Sequence, residues 1–139
     1  MTAKDAVLSP VQMDRIRALS DTELYPEAVR FVAHQSRLPK PSQMAGLVQF
    51  GQDWADWNKF VKHQCDRKTH EDGEFYAALN KWNQDFQKRL KEWKLSTVTE
   101  GPDAKKIMEH LCNLLIGEFA QHLAAECGYQ RVLRKEQHA

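Results

Sequence analysis

Two short segments of the chain carry the same polar residues in the same order. Arg30-Phe31-Val32-Ala33-His34-Gln35-Ser36-Arg37 is echoed by Lys59-Phe60-Val61-Lys62-His63-Gln64-Cys65-Asp66-Arg67, with one residue inserted before the final arginine. Each copy reads as a basic residue, Phe-Val-x-His-Gln, and an arginine. At the end of a helix, His and Arg beside a buried Phe could present paired donors to an anion, and cations there suit the negative end of the helix dipole. The same residues could instead be architectural, with Phe and Val packing while His, Gln and Arg bond the last carbonyls. Both readings stay open at this point. The likeness does not extend beyond these segments, so it does not establish a full structural repeat.

Other reactive chemistry is sparse. The glycine patterns of dinucleotide sites, phosphate-binding loops and nucleophile elbows are absent. Glu118 and His122 stand one helical turn apart, where a local hydrogen bond is the ordinary outcome. His63, Cys65 and His70 lack metal-ligand spacing, and His110 and Cys112 would point about 160° apart on a helix, so neither set forms a metal site. Cys112 and Cys127 fall among apolar residues and read as inert core thiols. The expectation is a protein with no catalytic residues, no metal and no cofactor.

The cations are more informative. Lys and Arg number 20 and Asp and Glu 19, a net charge of +1, yet they are unevenly spread. Lys81, Lys88, Arg89, Lys91 and Lys94 face only Asp85 and Glu92 in the same stretch, and Lys59, Lys62, Arg67 and Lys68 cluster just before it. Arg131, Arg134 and Lys135 add a basic C-terminal tail. Contacts to phosphates need only such a stripe of Lys and Arg. The candidate nucleic-acid-binding residues are therefore Lys59, Lys62, His63, Arg67, Lys81, Lys88, Arg89 and Lys91. Asp53, Asp56, Asp66, Glu71 and Asp72 offset part of that potential.

These residues must be held by helices. The chain has 139 residues, 42% hydrophobic and 28% charged, which suits one globular domain and excludes a disordered tail. It contains no apolar run of about eighteen residues and hence no membrane span. Its first residues lack the basic-then-apolar pattern of a secretion signal. Three widely spaced cysteines do not suggest a disulfide framework, so a cytoplasmic location is expected. Ser9, Pro10 and Gln12 predict a helix over 10–19, and Ser20, Asp21 and Thr22 offer caps for a second, reaching about 35. Pro39 and Pro41 force an extended turn; Ser42 then caps a helix over 43–50 that Gly51 ends. Asp53 caps another over 54–67. Phe75, Leu79, Trp82, Phe86, Leu90 and Trp93 form one apolar stripe on a helix over 74–94. Residues 95–102 read as loop. The last helix, 103–127, is apolar on too many sides for one-sided burial, which makes it the central one, and Gly128 reads as its cap. The fold class is all-α: a single-domain helical bundle, residues 1–139, of five or six helices of unequal length.

Leu38-Pro39-Lys40-Pro41-Ser42-Gln43-Met44-Ala45-Gly46-Leu47, followed by Trp54, Trp57, Phe60-Val61-Lys62-His63-Gln64 and Arg67, resembles the small all-helical subunits of type III CRISPR effector complexes. The resemblance covers roughly residues 24–95. It implies a non-catalytic subunit that stacks with copies of itself along a ribonucleoprotein, beside the backbone subunits that hold guide RNA. Its basic faces would line the path of the target RNA, and no membrane partner is implied. Two departures are the high tryptophan content and the acids interleaved among the cations. The residues also admit a cytoplasmic protein–protein adaptor without nucleic-acid contact, with Trp54, Trp57, Trp82 and Trp93 serving an exposed interface.

Overall fold

The first helix, α1 (Pro10–Leu19), begins at a complete capping box. The Gln12 N–H donates to the Ser9 hydroxyl at 3.2 Å, and the Ser9 N–H donates to the Gln12 side-chain carbonyl at 2.7 Å. This computed structural model describes residues 8–67, 73–92 and 104–137. All the secondary structure among them is helical, as the periodicity requires. Residues 95–102, Lys68, His70, Glu71, Asp72, Trp93 and Lys94 lie outside the described residues, as does the side chain of Lys91.

The expected break after α1 does not occur. Ser20–Leu24 forms a π-helical turn, and the chain runs on into α2 (Tyr25–Ala33). None of the three candidate caps acts as one. The Thr22 hydroxyl bonds back to the carbonyl of Ala18 at 2.7 Å, and Ser20 turns its hydroxyl into the protein. Pro26 has no N–H and crowds the preceding turn, and the wide π turn next to it accommodates that missing bond.

Helix α3 (Pro41–Phe50) starts one residue before Ser42. Pro41 occupies the first helical position, where its missing N–H costs nothing, so Lys40 rather than Ser42 is the boundary residue. Helix α4 (Trp54–Asp66) is capped as expected, with the Asp53 carboxylate accepting from the Asp56 N–H at 3.0 Å. Its first N–H, on Trp54, donates to the Asn113 side chain at 2.8 Å. Helix α5 (Gly73–Glu92) carries the expected stripe, with Phe75, Leu79, Trp82, Phe86 and Leu90 all buried.

Helix α6 (Ala104–Gln137) is 34 residues long and continues through Gly128, which is not its cap. A helical glycine costs about 0.5–1 kcal/mol relative to alanine, but buried Cys127 and the bonds of Arg134 to the end of α2 hold this last stretch in place. The α1–α2 rod runs parallel to α6, since Ser20 meets Glu118 and His122 while Val32 and Ser36 meet Arg134. Helices α4 and α5 are antiparallel: Trp54 meets Phe86, Trp57 meets Asn83 and Phe60 meets Tyr76.

Gly51 sets how closely the α3–α4 corner lies on α6. A Cβ there would stand 2.6 Å from the Cβ of Ala120 and 3.0 Å from the carbonyl of Leu47. The two glycines therefore predict opposite effects. Gly51→Ala should lower unfolding free energy by about 1–3 kcal/mol through overpacking. Gly128→Ala has open space around its new methyl and should raise it by about 0.5–1 kcal/mol. Urea unfolding followed by circular dichroism measures both; a destabilised Gly128→Ala would mean that α6 ends there after all.

Candidate functional site

The repeated Phe-Val pair has a packing explanation. Val32 and Val61 are both fully buried. Phe31 meets Phe75 edge-on at 5.3 Å, and Phe60 meets the next residue, Tyr76, at 6.3 Å. The two copies thus flank the start of α5 from α2 on one side and α4 on the other. The Phe60 ring packs beside Gly46, 3.5 Å from where a Cβ would sit, which is ordinary van der Waals distance.

The polar halves of the two copies differ. In the first, the end of α2 is capped by side chains. His34 Nδ1–H donates to the Arg30 carbonyl at 2.7 Å, a carbonyl being able only to accept, and Gln35 donates to that of Phe31 at 3.2 Å. Arg134 donates to the carbonyls of Val32 and Ser36. His34 is therefore a cap, and its Nδ1 carries the proton. In the second copy His63 is exposed, while Gln64 is half-buried with its Oε1 unpartnered among the described residues.

The eight candidate nucleic-acid residues divide into groups. Lys59, Lys62, His63 and Arg67 are exposed at and just after the C-terminal half of α4, and Lys81 and Lys88 are exposed on α5. The antiparallel register puts Lys59 and Lys81 at the same height on the hairpin. None of these five Lys and Arg residues forms an ion pair with another described residue. Asp56, Asp66, Glu74, Asp85 and Glu92 are exposed on the same two helices, so the cations alternate with acids. Lys91 lies on α5, its side chain undescribed. Arg89 is drawn inward, paired with Glu27 of α2 and lying 5.5 Å over the ring of Trp82. Burial lowers its pKa, opposed by Glu92 and Glu23.

Arg89 and Glu27 stand at one end of a cleft between α2 and α5, and Phe31, His34 and Gln35 line it toward the other. Its volume is about 400 Å³, and Arg30, His34, Lys81 and Trp82 are among its lining residues. Sequence reasoning missed this cleft, because it depends on which side of α5 packs against α2.

A second unanticipated cluster sits at the π turn. The Ser20 hydroxyl donates to Glu118 at 3.0 Å and lies 2.8 Å from His122 Nε2. Its single proton goes to the carboxylate, which makes His122 the donor to the serine oxygen. The Glu118 and His122 pair was visible in the sequence, but its partner lies 98 residues away from Glu118. Among the described residues no group bonds the other nitrogen of His122 to complete a nucleophile–base–orienter chain, and Ser20 is only 5% exposed. This cluster locks the turn to α6. Among the described residues no three His, Cys, Asp or Glu side chains converge in a way that could hold a metal ion. Burial raises the Cys112 thiol to about 11 and the Cys127 thiol to about 12, leaving both protonated at neutral pH.

The Arg89–Glu27 pair should act as a clasp. Its side chains are 28% and 15% exposed, so Arg89→Met should remove about 1–3 kcal/mol by leaving a carboxylate half-buried and alone. Adding Glu27→Gln to that variant should restore part of the loss in denaturant titrations. No recovery would show that the pair contributes packing rather than charge.

The chain matches no protein-family model, no curated protein and no solved structure.

Proposed function

We propose that this chain is a non-catalytic small subunit of a type III CRISPR RNA-guided effector complex, lining the target-RNA path and contacting backbone subunits. The observation that carries the reading is the set of cations exposed on the α4–α5 hairpin. Lys59, Lys62, Lys81 and Lys88 stand exposed on its two antiparallel helices and Arg67 just after α4, all unengaged by ion pairs with described residues. The resemblance over residues 24–95 supports it too, and its motif residues have definite places in the fold, Gly46 against Phe60 and Phe60 against α5.

The interleaved acids shape what such a subunit does. A strand lying on this hairpin neutralises few phosphates before it meets a carboxylate, so the isolated chain binds RNA weakly and neighbouring copies supply the remaining contacts. A subunit of this kind also needs a face for protein. Tyr129 and Val132 on α6 are 60% and 59% exposed, and Tyr25 is 50% exposed. Tyr25 rests against His122 on the same side of α6. These apolar residues favour the second reading, a protein–protein adaptor without nucleic-acid contact, in which this face alone carries the function.

Charge reversal separates the two. Lys59→Glu, Lys62→Glu and Lys88→Glu together should abolish retention of single-stranded RNA at low salt while helicity is unchanged. Wild-type retention should fall steeply as salt rises. An intact phenotype in the triple variant, combined with loss of partners in Tyr129→Lys with Val132→Lys, would establish the adaptor instead.

A further inference from the structure

Charged side chains stand along the α2–α5 cleft, whose lining is otherwise largely apolar. Glu27, Arg30, Phe31 and His34 recur along one side of α2 and its cap, and Ala78, Lys81, Trp82, Asp85 and Arg89 along the facing side of α5. The contacts of Phe31 with Phe75 and of Glu27 with Arg89 show that the two helices are antiparallel here. One end of the cleft therefore holds exposed His34, Arg30 and Lys81, and the other holds Asp85 with the Glu27–Arg89 pair. Because that pair neutralises itself, the cationic end retains an uncancelled positive charge. Ala78, one turn beyond Lys81 toward the Phe31–Phe75 contact, is too small to fill the gap between the helices there, and Phe31 and the edge of Trp82 add aromatic surface.

We propose that this cleft binds one nucleotide, with the phosphate at Arg30 and Lys81 and the base against Phe31 and the exposed edge of Trp82. Phe119 and Arg89 cover the two faces of Trp82, so the base meets its edge and Phe31, and base–aromatic contact is indifferent to sequence. The phosphate belongs at the Arg30 end, where the α2 carbonyls that would repel it are already bonded by His34, Gln35 and Arg134. Asp85 repels phosphate and accepts from a ribose hydroxyl or a base N–H, which fixes the direction of entry. About 400 Å³ falls in the lower part of the range for small-molecule sites and suits one nucleotide rather than a stack of several. The nucleotide could be free or an unstacked member of a strand. The strand as its source rests on the function proposed above; the affinity of the cleft for the nucleotide does not.

The test is an amide-resolved NMR titration of the full chain with UMP, uridine and a short oligouridylate. UMP should shift residues around Arg30, His34, Ala78 and Trp82, and uridine should do so more weakly. Ala78→Leu fills the gap and should weaken UMP binding about tenfold or more, the loss expected from one base–aromatic contact. Arg30→Gln changes an exposed residue and should weaken UMP severalfold while leaving uridine unchanged, which keeps the test decisive if Ala78→Leu fails to fold. Lys59→Glu with Lys62→Glu should leave UMP binding intact while reducing strand retention. Oligouridylate shifting the same residues supports a strand source; oligouridylate that leaves them unmoved while UMP binds supports a free nucleotide. UMP shifts that miss the cleft, or that are equal in wild type and Arg30→Gln, overturn the proposal.

Discussion

Trp82 of α5 lies flat on Phe119 of α6, ring centroids 3.9 Å apart and planes 2° from parallel. The arrangement of the other helices depends on that contact. It joins the α4–α5 hairpin to the central helix through side chains, which leaves the α5 axis standing off from both α6 and α2. Phe86 tilts against Trp82 and Trp54, carrying the ring contacts across to α4. A core of large rings fills wide gaps between helices at small cost in side-chain entropy, since each ring has only two torsions to fix. The gap on the α2 side is not filled, and there the cleft opens.

Buried asparagines set the register within this apolar frame. Asn83 accepts from the indole N–H of fully buried Trp57 at 2.7 Å, and Asn113 accepts the first N–H of α4. Sliding either helix by one residue would strand a buried donor, a penalty of about 1–3 kcal/mol. Ser20 does the same for the α1–α2 rod through Glu118 and His122. Apolar burial favours compactness without direction, whereas these few polar contacts select one alignment of the helices.

Much of the architecture was legible in the residues themselves. The capping box at Ser9, the Asp53 cap and the α5 stripe depend on neighbours within one or two turns, and each formed where local pattern placed it. The misreadings share a cause. Ser20, Asp21 and Thr22 are good caps in isolation, but a partner on α6 far along the chain claimed Ser20. Gly128 is a good helix terminator in isolation, but packing of Cys127 and Arg134 carried α6 past it. The candidate site follows the same division. Exposure of Lys59, Lys62, Lys81 and Lys88 follows from helical period alone. The withdrawal of Arg89 to Glu27 and the cleft beside it depend on which face of α5 meets α2, and no single-helix pattern encodes that. The Phe-Val-x-His-Gln echo was plain in sequence, yet only the fold assigns its Phe-Val half to gripping α5 and its first His-Gln to capping α2.

The proposed role rests on the exposed mixed-charge hairpin, and the adaptor reading on exposed Tyr129 and Val132 of the longest helix. Acids alternate with the hairpin's cations, which argues against tight binding of nucleic acid by one chain alone. Affinity purification of the native protein from its own cells, followed by sequencing of bound RNA and identification of bound proteins, tests this account most directly. The account predicts a guide-length RNA together with larger backbone subunits, in a complex that nuclease treatment disrupts. A single protein partner with no RNA, unchanged by nuclease, would contradict it.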